Sequence, residues 1–184
     1  MKMPPTTCGH SRQRGAALLT GLIFLVILTL LGVSAARMAS LEERMSGNMR
    51  DRAIAMQAAE QTLRYAERDV IARISGLTGF LDTCPNGRCY NGPSGATNGT
   101  NWNTTPVWTL VSMTAAPSLA YGQAPAPTPA AAALAGVSAQ PRYLIEGIRK
   151  TPPGGGEDFF YRITVRAQGA NPNTVVWLQE VFKP

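Results

Sequence analysis

Residues 12–32 read RQRGAALLTGLIFLVILTLLG, with two arginines and a glycine ahead of an apolar run. No charged side chain occurs from residue 16 to residue 36, where Thr20, Thr29 and Ser34 are the only polar residues. At ~1.5 Å per residue an α-helix of this length spans about 30 Å, the thickness of a bilayer core. The run exceeds the roughly 7–15 apolar residues of a secretory signal. It is apolar all round, which a helix on a soluble core is not. A membrane-spanning helix is therefore predicted over residues 16–36. The basic residues before it place the N-terminus in the cytoplasm and the rest of the chain beyond the inner membrane.

The helical pattern continues past the membrane. Residues 37–75 contain no proline, and apolar side chains recur in steps of three and four at Met38, Leu41, Met45, Met49, Ala53, Met56, Ala59, Leu63, Ala66, Val70 and Ile74. Charges fill the opposite face: Glu42, Glu43, Arg44, Arg50, Asp51, Arg52, Glu67 and Arg68. Ser46-Gly47-Asn48 is the weak point, where a kink or local melting is expected. The second half of such a helix either pairs with another copy as a coiled coil or packs against the chain's own C-terminal domain.

The chain has 184 residues, so about a hundred remain after the helix, enough for one core. It is 45% hydrophobic and only 15% charged, and most of its 18 glycines and 14 prolines lie beyond residue 75, which points to loops around a small sheet. The formal charge is +6; losing Lys2, Arg12 and Arg14 leaves 14 basic against 11 acidic residues, a net +3. With no dense basic run, no specific nucleic-acid partner is expected.

A short basic leader ending in Gly15 and followed at once by a long apolar helix resembles a type IV pilin. The resemblance implies that a prepilin peptidase cuts after Gly15, leaving an N-methylated Ala16, and that Leu18, Leu19, Thr20, Leu22, Ile23 and Phe24 belong to the helix that anchors the subunit and later packs in the filament. Major pilins have a phenylalanine after the cut and a glutamate at the fifth mature position; here those positions are Ala16 and Thr20. A buried carboxylate needs a partner charge. A subunit without one does not demand a subunit ahead of it, which suits the filament tip.

Within that superfamily, LEERMSGNMRDRAIAMQAAEQTLRYAE (residues 41–67) is similar to the N-terminal signature of PilX-type minor pilins. PRYLIEGI and FYRITVRAQGA look like their heads. The resemblance implies an α+β type IV pilin fold and partners drawn from other minor pilins, the major pilin, a large pilus tip adhesin and the prepilin peptidase. It implies residence in the inner membrane and then in the pilus, at its tip. The expected division is a leader (1–15), a helix (16–75, transmembrane over 16–36) and a periplasmic head (76–184) with irregular loops (84–141) and a C-terminal sheet (142–184). Two other readings stand beside it: a minor pseudopilin of a type II secretion system, and an uncleaved, signal-anchored periplasmic binding protein.

In the head, residues 142–148, 159–167 and 174–182 are rich in β-branched and aromatic side chains and read as strands. Tyr161, Ile163 and Val165 alternate with Arg162, Thr164 and Arg166, the period of a half-buried strand. TPPGGGED and QGANPN are turn chemistry, so antiparallel hairpins are expected. WTLVSM (108–113) is a further strand candidate. Residues 86–103 are Asn/Gly/Thr-rich and 115–141 Ala/Pro-rich, with PAPTP favouring extended polyproline conformation.

Cys8 lies in the leader and would be lost with it, leaving Cys84 and Cys89 in CPNGRC. The Pro-Asn-Gly between them is a turn, and the periplasm is oxidising, so a disulfide is expected in preference to a zinc site. No cofactor or metal is expected. The sole histidine, His10, precedes Gly15. Without one in the mature chain no Ser-His-Asp or Cys-His pair can form, and no enzyme activity is expected. The glycines at 154–156 read as a turn rather than a phosphate loop. Glu157-Asp158 is either a solvated surface or, with further oxygens, a cation site. Arg37, Glu42, Glu43 and Arg44 are placed either for salt bridges between subunits or for intrahelical pairs with Arg37 or Arg50.

Overall fold

The computed structural model describes residues 16–90, 107–123, 131–150, 152 and 154–184. The predicted leader, the Asn/Gly/Thr-rich stretch from residue 91 on and PAPTP lie outside them. The chain divides into two units, Met1–Gly47 and Asn48–Pro184. A single helix, α1 (Ala16–Arg73), runs through both. It stays helical through Ser46-Gly47-Asn48, although the division falls there.

In the first unit every described residue is helical and exposed. The uncharged run has the length and apolarity to cross a membrane. Thr20 and Thr29 remove their hydroxyls from the apolar surface by donating back to their own helix: Thr20 Oγ1 to the carbonyls of Ala16 (3.0 Å) and Ala17 (3.1 Å), Thr29 Oγ1 to that of Val26 (2.8 Å).

The second unit packs the end of α1 on a five-stranded sheet. Its strands are β1 (Arg88–Tyr90), β2 (Leu119–Ala120), β3 (Arg142–Lys150), β4 (Asp158–Gln168) and β5 (Val175–Phe182). The order is β1-β3-β4-β5, and β2 also pairs with β3. All pairings are antiparallel except β1 with β3, where Arg88 stands opposite Ile145. The three long strands fall where the β-branched and aromatic runs put them, and the β3–β4 link turns through Gly155 and Gly156 at φ +83° and +91°, which β-carbon residues avoid. The expected irregular region 84–141 is not wholly irregular: it supplies β1 and β2.

The stripe of α1 that meets the sheet is Ala55, Ala58, Ala59, Thr62, Leu63, Ala66, Asp69 and Val70. Six of the eleven residues predicted for the apolar stripe, Met38, Leu41, Met45, Met49, Ala53 and Met56, are exposed instead. The small alanines let the sheet approach closely, and the core they share holds Tyr143, Ile145, Tyr161, Ile163 and Val165. Past Arg73 the chain turns at Gly76 (φ +62°), whose carbonyl accepts the Tyr161 hydroxyl at 2.7 Å.

Two expectations are corrected. WTLVSM is not a strand: Val107–Thr109 is a 3-10 turn, and Val107 and Met113 bury against Leu144 and the two cysteines. The free edge of β3 is already taken by β1 and β2, so this segment covers the sheet's second face instead. That cover also corrects the half-buried reading of β4, since Arg162 and Thr164 are buried as well as Tyr161, Ile163 and Val165.

Candidate functional site

Of the residues expected to act in processing and assembly, Gly15 lies outside the described residues and Ala16 opens α1. Leu18, Leu19, Leu22, Ile23 and Phe24 are all exposed. They present apolar surface that none of the described residues covers. Thr20 sits among them with its hydroxyl spent on Ala16 and Ala17, so the fifth position after Gly15 presents no acid and no outward acceptor geometry fixed by the fold.

Arg37, Glu42, Glu43 and Arg44 are exposed on the helix just beyond the uncharged run, and among the described residues none of them makes an ion pair. The intrahelical alternative is thus not formed in this structure. Met38, Leu41, Met45 and Met49 are exposed beside them, so this stretch offers apolar and charged groups together.

Cys84 and Cys89 are joined in a disulfide, both fully buried. The turn between them, Pro85–Gly87, carries Asn86 at φ 52° and Gly87 at φ 68°, left-handed conformations that asparagine and glycine tolerate best. The bond holds the start of β1 beside β3 and places Cys89 opposite Leu81.

Three polar constellations escaped the sequence reading. Asp69 is buried on the core stripe of α1, between Arg73 (3.2 Å) and Arg88 (3.6 Å), and so ties β1 to the helix. Burial and the Asp69 charge together push the neighbouring Tyr143 hydroxyl well above the usual phenol range. On the other face of the sheet Glu146 and Arg162 form a buried two-pronged pair, and Glu146 Oε1 also accepts the Val107 N–H at 2.9 Å. Asp51 accepts the Asn171 N–H at 3.1 Å; the Thr174 hydroxyl and the amides of Asn171 and Ala170 hold its carboxyl below the usual range. A trace of two of them was legible. Asp69 follows Ala66 at helical spacing on an otherwise apolar stripe, and Glu146 and Arg162 are opposite charges in the middle of two apolar strands.

Among the described residues no three His, Cys, Asp or Glu side chains stand close enough together to hold a metal. Two buried acids of the head are instead paired across elements, Asp69 with Arg88 and Glu146 with Arg162. An exposed apolar N-terminal helix joined in sequence to an α+β head whose sheet packs on the helix's last turns defines a pilin-like subunit.

Comparison with protein families agrees. Residues 14–63 match the PilX N-terminal model, and residues 85–184, more than half of the chain, match the model described as type IV pilus assembly protein PilX C-term. The chain belongs to the PilX family of type IV pilus assembly proteins, a structural family. Its apolar N-terminal helix fits membrane anchoring and association with the pilus. No curated protein and no solved structure matches it closely enough to carry an argument.

Proposed function

We propose that this chain is a minor pilin that enters the inner membrane through residues 16–36, loses residues 1–15 to the prepilin peptidase, and is N-methylated at Ala16. With other minor pilins it forms a tip complex that primes the assembly of major pilin and helps display a large tip adhesin. The observation that carries this reading is Thr20. Its hydroxyl is turned back onto Ala16 and Ala17, where a carboxylate would require the amine of a subunit ahead. A helix that asks for no such partner is suited to the position with nothing in front of it. Arg37, Glu42, Glu43 and Arg44, without ion pairs among the described residues, serve as salt-bridge partners for neighbouring subunits.

The test is the N-terminal mass of the protein extracted from membranes with and without prepilin peptidase. A chain beginning at methylated Ala16 only when the peptidase is present supports the reading. A chain that retains Cys8 and His10 in both strains overturns it. Deleting the protein is expected to reduce surface pili while major pilin remains in the membrane; normal piliation, in a strain with no second minor-pilin set, removes the priming role.

A further inference from the structure

β5 ends the sheet: its inner edge pairs with β4 through all eight residues, and among the described residues no strand pairs with its outer edge. A free edge is a row of unpaired N–H and C=O groups, and proteins usually blunt it with lysine, proline, a bulge or shortness. β5 reads VVWLQEVF, without lysine, proline or glycine, and it pairs with β4 in unbroken register. Both flanks of this edge are apolar. On the helix side a trough of about 450 Å³ runs between α1 and the strand, lined by Met49, Arg52, Met56, Val176 and Leu178 among others. On the opposite face Trp177, 44% exposed, stacks on Trp108 with ring centroids 5.1 Å apart, and the Arg166 guanidinium lies 6.0 Å from its centre; Val181, 41% exposed, continues that face. Exposed tryptophan with arginine is the composition of a binding hot spot.

Arg52 is the only charged side chain lining the trough, and among the described residues it makes no ion pair. The sole acid of β5, Glu180, alternates onto the side that faces α1, where its charge acts on Arg64. The edge therefore presents apolar surface and, among the described residues, two positive charges without an ion pair: Arg52 in the trough and Arg166 beside Trp177. We propose that the outer edge of β5 is a docking strand that pairs with an extended segment of another pilus subunit, a segment of alternating apolar side chains carrying a carboxylate for Arg52. Backbone pairing supplies affinity, and the Trp177 face and the Arg52 trough select the partner. This inference rests on the chain being a pilus subunit.

The experiment places a photo-crosslinking residue at Val181, or separately at Met45 on α1, in the full-length protein in its own pilated cells, and maps the adducts by mass spectrometry. At Val181 we expect adducts with a different subunit of the same pilus, within a strand-forming segment that contains Asp or Glu. Arg52→Glu is expected to lower their yield about ten-fold, and Arg52→Lys to restore most of it. Adducts only with a second copy of this chain, or a yield indifferent to Arg52→Glu, overturn the proposal. Adducts at Met45 but none at Val181 overturn it while leaving the pilus-subunit reading in place; adducts at neither position count against both.

Discussion

Glu146 and Arg162 meet across β3 and β4 as a buried pair, with Arg162 Nη2 and Nε donating to the two carboxylate oxygens at 2.6 and 2.7 Å. The same carboxylate receives the Val107 amide, so one buried ion pair joins the sheet to the segment that covers it. Removing only Arg162 leaves a carboxylate buried without its cation. Arg162→Met is expected to cost about 3–5 kcal/mol. The double change Glu146→Leu with Arg162→Met should cost clearly less than the single one, because no uncompensated charge remains. Urea unfolding of the detergent-solubilised full chain, followed by tryptophan fluorescence, reads both. Equal losses in the two variants would show that the charge pair is not what matters.

The disulfide closes a short ring, and its stabilisation in the chain-entropy model is about 2 kcal/mol. Replacing both Cys84 and Cys89 by alanine is expected to lower the unfolding free energy by roughly that amount, since both side chains are buried and small. Amide exchange at Arg88–Tyr90 should rise before exchange in the long strands, because the bond anchors the start of β1. Uniform acceleration across the sheet would contradict this local role.

Gly147 lies in the middle of β3, where an added β-carbon would run into the side chains of Leu77 and Phe80. Gly147→Ala is expected to destabilise by about 1–3 kcal/mol through overpacking. Gly154, with open space around it, is the control and should tolerate alanine with little change. Thermal melting of the two variants side by side decides the point.

Titration should affect stability at both ends of the pH scale. Asp51 has its pKa lowered by the Thr174 hydroxyl first, with help from the Asn171 and Ala170 amides, and burial opposing. A depressed carboxyl pKa contributes stability above the unfolded value near ~3.9 that is lost as pH falls through the folded value. Asp51→Asn should therefore flatten the acid limb below about pH 4. Tyr143 and Tyr161 are shifted upward, both first by burial. Their contribution is full below the unfolded phenol value near ~10 and is lost as pH rises beyond it. Absorbance titration of tyrosinate should show these two rings ionising above the ordinary phenol range in the folded head.

Much of this molecule is written in short-range signals. An uncharged run from residue 16 to residue 36, β-branched and aromatic runs over β3, β4 and β5, and Gly/Pro/Asn links between them each depend on neighbours a few residues apart. So do the Thr20 back-bonds and the CPNGRC turn. These determine a membrane-length helix, a hairpin sheet and a disulfide without reference to the rest of the chain.

Other features depend on which distant residues the fold brings together, and no local pattern encodes that. The face of α1 that meets the sheet was chosen by how closely alanines allow approach, so Met49 and Met56 were left outside although their spacing matched. WTLVSM has strand-forming composition, but β1 and β2 occupy the only edge of β3 it could join, and the Val107 amide found Glu146 instead. Asp51 with Asn171, and Asp69 with Arg88, close over long separations in sequence. Burial decides such contacts: a charged group taken out of water must find its partner among whatever the tertiary structure places beside it.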